Sequence, residues 1–249
     1  MKKLISFCLY GNNPKYIMGF YKNIALKEKF YPDWDLIVFH DTSVEGRRIE
    51  EYRRLGVITR DVTGFGIHPT AWRFLAFDED NSHRAIFRDA DSRLSLREAE
   101  AVKEWEESDK PLHIMRDHPH HHHHHWPIFA GMWGIAGRRV DNGLSMLDLV
   151  LKHQGGAKDY TMESSRGHSQ GDWGTDQYFL RDCLYASFGT EECSTIHVGH
   201  DYTKAANYQK REYWSTDFPS PRNEDKNFVG EVIEIIDGKE QRAYQYTEL

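Results

Sequence analysis

Asp89-Ala90-Asp91 places two carboxylates one residue apart, directly after the apolar run Arg84-Ala85-Ile86-Phe87. In an extended backbone alternate side chains point the same way, with Cα atoms about 6 to 7 Å apart, so both acids can converge on one cation. Hard divalent ions such as Mg2+ and Mn2+ prefer carboxylate oxygens and usually bind through one or two protein carboxylates plus substrate phosphates. The tripeptide alone is also what two solvated turn acids look like, so its surroundings have to decide. Arg73, Arg88 and Arg93 flank the pair in sequence, and guanidinium forks match phosphate oxygens. Further along, Gly174-Thr175-Asp176-Gln177 opens a helical pattern in which Thr175 can cap and Asp176 sits where the helix dipole favours an acid.

The elements that must position these residues follow from periodicity. Leu4 to Leu9 is a short buried-strand pattern, and Gly11-Asn12-Asn13-Pro14 supplies a turn, a cap and a proline at the first helical position. Tyr16, Phe20 and Ile24 recur at helical spacing, and Leu36 to Phe39 is a second strand, giving a β-α-β opening. Asp41-Thr42-Ser43 is expected to cap a helix carrying Val44, Ile49, Tyr52 and Leu55, closed by Gly56. A helix over Thr70 to Phe77, the strand 84–87, a Ser95/Glu98 capping box through Trp105 and a strand Leu112 to Met115 come next. Downstream lie a glycine-punctuated stretch Ile128 to Ile135, helices at Leu144 to Leu151 and Thr175 to Ala186, and one closing strand within Val229 to Ile236. Alternating strands and helices predict a layered α/β/α fold with a mostly parallel sheet, whose ligands collect beyond the carboxyl ends of the strands. The expected organisation is one catalytic domain over 1–200, its donor-binding half 1–115 and acceptor-side half 116–200, with 201–249 as a carboxyl-terminal extension.

Composition narrows the function classes. The chain has 249 residues and a formal charge of −7, which excludes a strongly basic nucleic-acid binder. With 39% hydrophobic and 13% aromatic residues a substantial core can form. No window has the roughly 18 to 20 consecutive apolar residues of a membrane span, and the amino terminus is too short in apolar residues for a secretory signal. Three cysteines without Cys-x-x-Cys spacing suggest neither a disulfide framework nor a thiolate zinc site. The expected setting is therefore the reducing cytoplasm, with peripheral membrane association left open.

Taken in order, several segments resemble the GT-A class of nucleotide-sugar glycosyltransferases. They are the amino-terminal β-α-β unit, Trp72-Arg73-Phe74, Phe87-Arg88-Asp89-Ala90-Asp91-Ser92-Arg93, Ala130-Gly131-Met132-Trp133-Gly134, Gly174-Thr175-Asp176-Gln177 and His197-Val198-Gly199-His200. The resemblance implies a GT-A-like (Rossmann-like) fold and transfer of a sugar from a nucleotide-sugar donor, UDP-linked in preference to GDP-linked, to a glycan or other hydroxyl acceptor in polysaccharide assembly. It implies Mn2+ or Mg2+ held by Asp89 and Asp91, with His200 or His197 as a third ligand; an imidazole ligand would favour Mn2+. Tyr10, Gly11, Asp41, Arg73 and Asp89 would bind the donor, although Asp41 fits a helix cap equally well. Trp133, Asp117 and His118 would face the acceptor. Asp176 or Asp172 would deprotonate the acceptor hydroxyl, or Gln177 would stabilise the transition state.

Two other readings share parts of this pattern. A sugar-phosphate nucleotidyltransferase has a similar layered domain but begins with a glycine-rich loop bearing Arg and Lys, which Leu9-Tyr10-Gly11-Asn12-Asn13-Pro14 lacks. A non-catalytic carbohydrate-binding module would suit the aromatic content but has no need of the Asp89/Asp91 pair. The run His120 to His125 fits neither family pattern; it reads as an exposed, length-tolerant loop or a purification tag.

Overall fold

The computed structural model describes residues 1–118, 121, 126–137, 143–157, 174–199, 212–222 and 227–243. Its centre is a sheet in the order β3-β2-β1-β4-β6-β5-β7-β8. The strands are β1 Lys2–Leu9, β2 Asp35–His40, β3 Ile58–Asp61, β4 Ser82–Phe87, β5 Leu112–Arg116, β6 Trp133–Ala136, β7 Ser194–Val198 and β8 Thr216–Asp217. All pairings are parallel except those of β6, which runs antiparallel to both β4 and β5. The sheet is thus mostly parallel, as the alternating pattern predicts, but the reversal at β6 left no mark in the sequence.

Both faces of the sheet are covered, which explains why β1, β2 and β4 read as continuous apolar runs. Alternation divides them: Leu4, Ile37, Phe39 and Phe87 join one cluster, and Ile5, Phe7, Val38 and Ile86 join the other. The second face carries α1 (Pro14–Phe30), α2 (Gly46–Arg54) and α3 (Leu96–Ser108) through Phe20, Tyr52 and Trp105. Against the first face pack a ten-residue 3-10 segment Pro69–Asp78, α4 (Met146–Ala157) and α5 (Thr175–Phe179), which continues helically to Phe188 through a π segment. Three layers result, with the core on both sides of the sheet.

Several local expectations change. Residues 70–77 are helical but 3-10, with seven consecutive residues from Ala71 to Phe77 buried, so the segment is packed all round and has no polar stripe. Helix α2 starts at Gly46 after Glu45, and Asp41 instead closes a turn by accepting from the Ser43 amide at 3.0 Å. Ser95 Oγ accepts from the Glu98 amide at 3.3 Å, as a capping box requires, yet the Glu98 carboxylate turns inward to Arg88. In place of one closing strand there is a hairpin of β9 (Ile233–Ile236) and β10 (Lys239–Arg242). Its turn, Asp237-Gly238, has φ of 52° and 73°, the left-handed pair that an Asp-Gly hairpin turn needs.

Candidate active site

Strand order reverses between β1, whose next neighbour is β2, and β4 on its other side, and ligands of such sheets gather at the carboxyl ends beside that point. Tyr10 and Gly11 leave the end of β1 there, and Asp89 and Asp91 follow the end of β4. Helix α1 holds the acidic turn in place. A Cβ on Gly19 would lie 2.0 Å from the Ala90 carbonyl oxygen, so only glycine lets the helix approach. One turn on, Asn23 donates to the Ser92 carbonyl at 2.8 Å and accepts from the Leu94 amide at 3.0 Å. The turn closes on itself through Ser92, whose hydroxyl donates to the Asp89 carbonyl at 3.0 Å.

Three carboxylates and two cations share the site. Arg73, buried on the 3-10 segment, donates to Asp89 Oδ1 through one nitrogen and to Asp176 Oδ2 at 3.1 Å through the other. Burial works against this guanidinium, but the charges of Asp89 and Asp176 outweigh it and hold the proton more firmly. The same burial pushes the neighbouring Cys8 thiol up to about 11, so that group stays protonated and inert. Asp176 Oδ1 accepts from the Gln177 amide at 2.9 Å. Across the motif, Lys15 Nζ stands 2.9 Å from Asp91 Oδ2. Burial first, and then the Asp89 charge, raise the Asp91 carboxyl above the usual carboxylate range, with Lys15 opposing.

That mutual strain is the condition a divalent cation relieves. Arg73 takes Oδ1 of Asp89 and Lys15 takes Oδ2 of Asp91, leaving the second oxygen of each carboxylate outside these ion pairs. Two carboxylates with phosphate and water oxygens are a donor set suited to Mg2+ or Mn2+. Among the described residues no three His, Cys, Asp or Glu side chains are placed to hold one metal ion together, so ligands beyond the acidic pair have to come from bound substrate, water or residues outside that set.

Asp89 also opens on a cleft of about 450 Å3 lined by His118, Phe129, Gly131, Met132, Gln177 and Phe228 among others. A Cβ on Gly131 would fall 2.0 Å from Asp89 Oδ2, so this glycine admits the carboxylate. Gln177 Oε1 is shielded from solvent, with no hydrogen-bond partner among the described residues. His118 packs on Phe228, ring centroids 4.4 Å apart. His121 lines the same cleft, and its Nδ1 accepts from the amides of Asp117 and His118, both at 3.1 Å; this member of the histidine run is therefore part of the fold. On the β1 side, Gly11 at φ 67° donates its amide to Ser43 Oγ at 2.6 Å, and Ser43 in turn donates to Asp41, tying the ends of β1 and β2 together. Tyr10 is 42% exposed and meets Trp72 edge-on at 6.0 Å.

Other expected site residues lie elsewhere. Trp133 is fully buried, packed against Phe74 and Phe87, because alternation at the start of β6 turns it into the core while its neighbour Met132 lines the cleft. Asp117 is fully buried in an ion-pair cluster: Arg97 donates to both its oxygens at 2.8 and 2.9 Å, and the Val229 amide donates at 3.0 Å. His197 points away from the acidic pair. Its ring nitrogens meet Glu104 and His113, both at 2.9 Å, which leaves no lone pair for a metal. Arg88 turns to Glu98 at 3.1 Å, and Arg93 to Glu240 at 2.9 Å. Asp172 and His200 lie outside the described residues.

Lys15, Glu234 and Phe228 were not anticipated from sequence. Lys15 had a legible signal, since the first turn after β1 starts at the same sheet edge as Asp91. Glu234 and Phe228 had none, because they reach the site from more than 130 residues away in the chain.

No protein-family model matches the chain, and no curated protein matches it. Among solved structures it is similar to S. aureus TarS 1-349, with 14% identity, a TM-score of 0.47 and coverage of 79% of this chain and 58% of that one. It is also similar to the mannosyltransferase PcManGT from Pyrobaculum calidifontis in complex with GDP-Man and Mn2+, with 13% identity, a TM-score of 0.46 and coverage of 82% of this chain and 58% of that one. The chain thus spans less than two thirds of either.

Proposed function

We propose that the chain is a metal-dependent glycosyltransferase that moves a sugar from a nucleotide-sugar donor to a hydroxyl acceptor such as a glycan. The observation that carries this reading is the placement of Asp89 and Asp91 on one turn after β4, at the strand-order reversal, with Asp89 opening on the cleft and backed by Arg73 and Asp176. The GT-A-like layering expected from sequence supports it, and so does the absence of a glycine-rich phosphate loop after β1.

In this reading Asp89 and Asp91 hold Mn2+ or Mg2+ against the donor diphosphate, with His200 as the remaining candidate ligand. The bound ion would offset negative charge building on the leaving nucleoside diphosphate. Tyr10 offers a ring face for the base, and the Gly11-Ser43-Asp41 chain shapes the seat of the nucleoside. Arg73 acts through the carboxylates: by gripping Asp89 and Asp176 together it fixes their separation before substrate arrives. Gln177 lines the cleft, and its Oε1 would accept a hydrogen bond from the transferring sugar or the acceptor once the side chain turns outward. Asp176 remains the candidate base, reached once Arg73 or the Gln177 amide releases an oxygen. Phe129, Met132 and Phe228 form an apolar wall on which a sugar ring can pack.

The test is a thermal-shift panel of UDP-, GDP-, CDP- and dTDP-sugars, with and without Mn2+, on the wild type and Asp91→Ala. Ligands that bind the native state raise its melting temperature by mass action. One nucleotide class should give a shift that needs Mn2+ and disappears in Asp91→Ala. A shift that needs neither Mn2+ nor Asp91 would remove the metal role, and no shift with any donor would remove the transferase reading.

A further inference from the structure

Lys15 stands where an incoming cation would compete with it. Its ammonium lies 2.9 Å from Asp91 Oδ2 and 3.0 Å from Glu234 Oε1, and its side chain is 16% exposed. Glu234 belongs to β9 of the carboxyl-terminal hairpin, which is clipped to the acidic turn twice more. The Ile233 amide donates to the Asp91 carbonyl at 2.8 Å, and Arg93 donates to Glu240 at 2.9 and 3.2 Å. One ammonium therefore joins the first turn of α1, the acidic motif and the hairpin.

A divalent ion on Asp91 and the Lys15 ammonium would repel one another at this range, and a partly buried site screens them poorly. Lys15 then has one prepared alternative partner, Glu234. We propose that Lys15 is a positioning residue of the metal site: it occupies Asp91 before loading and sets the affinity for the divalent ion. Glu234 receives its charge when the ion binds. This rests on the metal-dependent reading above, and it assigns the hairpin a place in the site.

The experiment measures Mn2+ affinity by the electron paramagnetic resonance signal of free Mn2+, without nucleotide, on the full chain. The variants are Lys15→Met, Lys15→Arg, Glu234→Gln and the Lys15→Met/Glu234→Gln double variant. Asp91→Asn defines the Asp91-independent background, including binding to the histidine run. Removing the competing charge should tighten Asp91-dependent binding at least about tenfold in Lys15→Met, while Lys15→Arg stays within about threefold of wild type. Glu234→Gln should weaken binding, and by more in the wild-type background than in Lys15→Met, because only there does the lysine need its second partner. Circular dichroism confirms folding of each variant, with Lys15→Arg as the conservative check. Unchanged or weaker binding in Lys15→Met, or equal effects of Glu234→Gln in both backgrounds, overturns the proposal alone. If the wild type has no Asp91-dependent Mn2+ binding, the metal reading falls with it.

Discussion

At the residue scale, the acidic pair is useful only because small neighbours make room for it. Gly131 is the sharpest case, since a methyl there would overlap Asp89 Oδ2. Gly131→Ala should push Asp89 off Arg73 and cost about 1 to 3 kcal/mol of stability, the usual range for overpacking. Its larger effect should be on donor binding, with the Mn2+-dependent thermal shift reduced or lost. Urea unfolding together with the donor panel checks this; a Gly131→Ala protein with wild-type stability and wild-type donor shift would show that Asp89 is not held where the cleft opens. The residue scale also shows why Arg73 and not Arg88 serves the site. Both flank the motif in sequence, but Arg88 is committed below it to Glu98, and its Nη1 donates to the carbonyls of Phe87 and Trp133 at 2.8 and 3.0 Å.

At the element scale, that buried pair joins the end of β4 to the start of α3. Arg88 and Glu98 are each about 2% exposed, and Tyr31 donates a second hydrogen bond to Glu98 at 3.0 Å. Burial raises the Glu98 carboxyl, with the Arg88 charge opposing it, so the pair is poised between desolvation and attraction. Arg88→Met would strand the carboxylate and should destabilise the fold by about 3 to 5 kcal/mol, whereas Arg88→Met/Glu98→Leu should recover most of that loss. Chemical denaturation of the two variants decides it. Equal destabilisation in both would mean that lost packing, and not an unpaired charge, is the cause.

At the scale of the whole molecule, a buried imidazole pair makes stability depend on pH. His197 donates from Nε2 to Glu104, so its Nδ1 accepts from His113 Nε2, and His113 Nδ1 is left without a partner among the described residues. Desolvation drives His113 well below the ordinary value of 6.5 and lowers His197 too; the His197, Arg88 and Arg84 charges add to it at His113, while Glu104 opposes it at His197. A depressed folded-state value means that the unfolded chain takes up protons the native state refuses. Stability is therefore fully present above about pH 6.5 and falls as the pH drops below it, by up to about 1.4 kcal/mol per pH unit for each such histidine. The melting temperature should decline by about 2 to 4 °C for each kcal/mol lost. His113→Gln should flatten the slope between pH 6.5 and 5; the raised Glu98 and Asp91 carboxyls act in the opposite sense and are common to both proteins, so the difference between the two slopes isolates the imidazole. An unchanged slope in His113→Gln would sink the account.

The sequence by itself determined the strand and helix alternation, the mostly parallel sheet and the acidic turn after β4, because these rest on local periodicity and on chain neighbours. It also led to Arg73, Asp176 and Gln177, which the fold gathers at or beside the cleft. Tertiary structure alone decided which members of each candidate set face that cleft. Trp133, Asp117 and His197 have the right residue types near the right strand ends, but side-chain direction turns them to the core, to an arginine cluster and to Glu104. Strand β6 runs backwards because its pairing with β4 and β5 is a contact between distant segments, which no local pattern encodes. For the same reason Lys15 and Glu234 meet only after the chain closes on itself: opposite charges attract through space, and separation along the sequence says nothing about it.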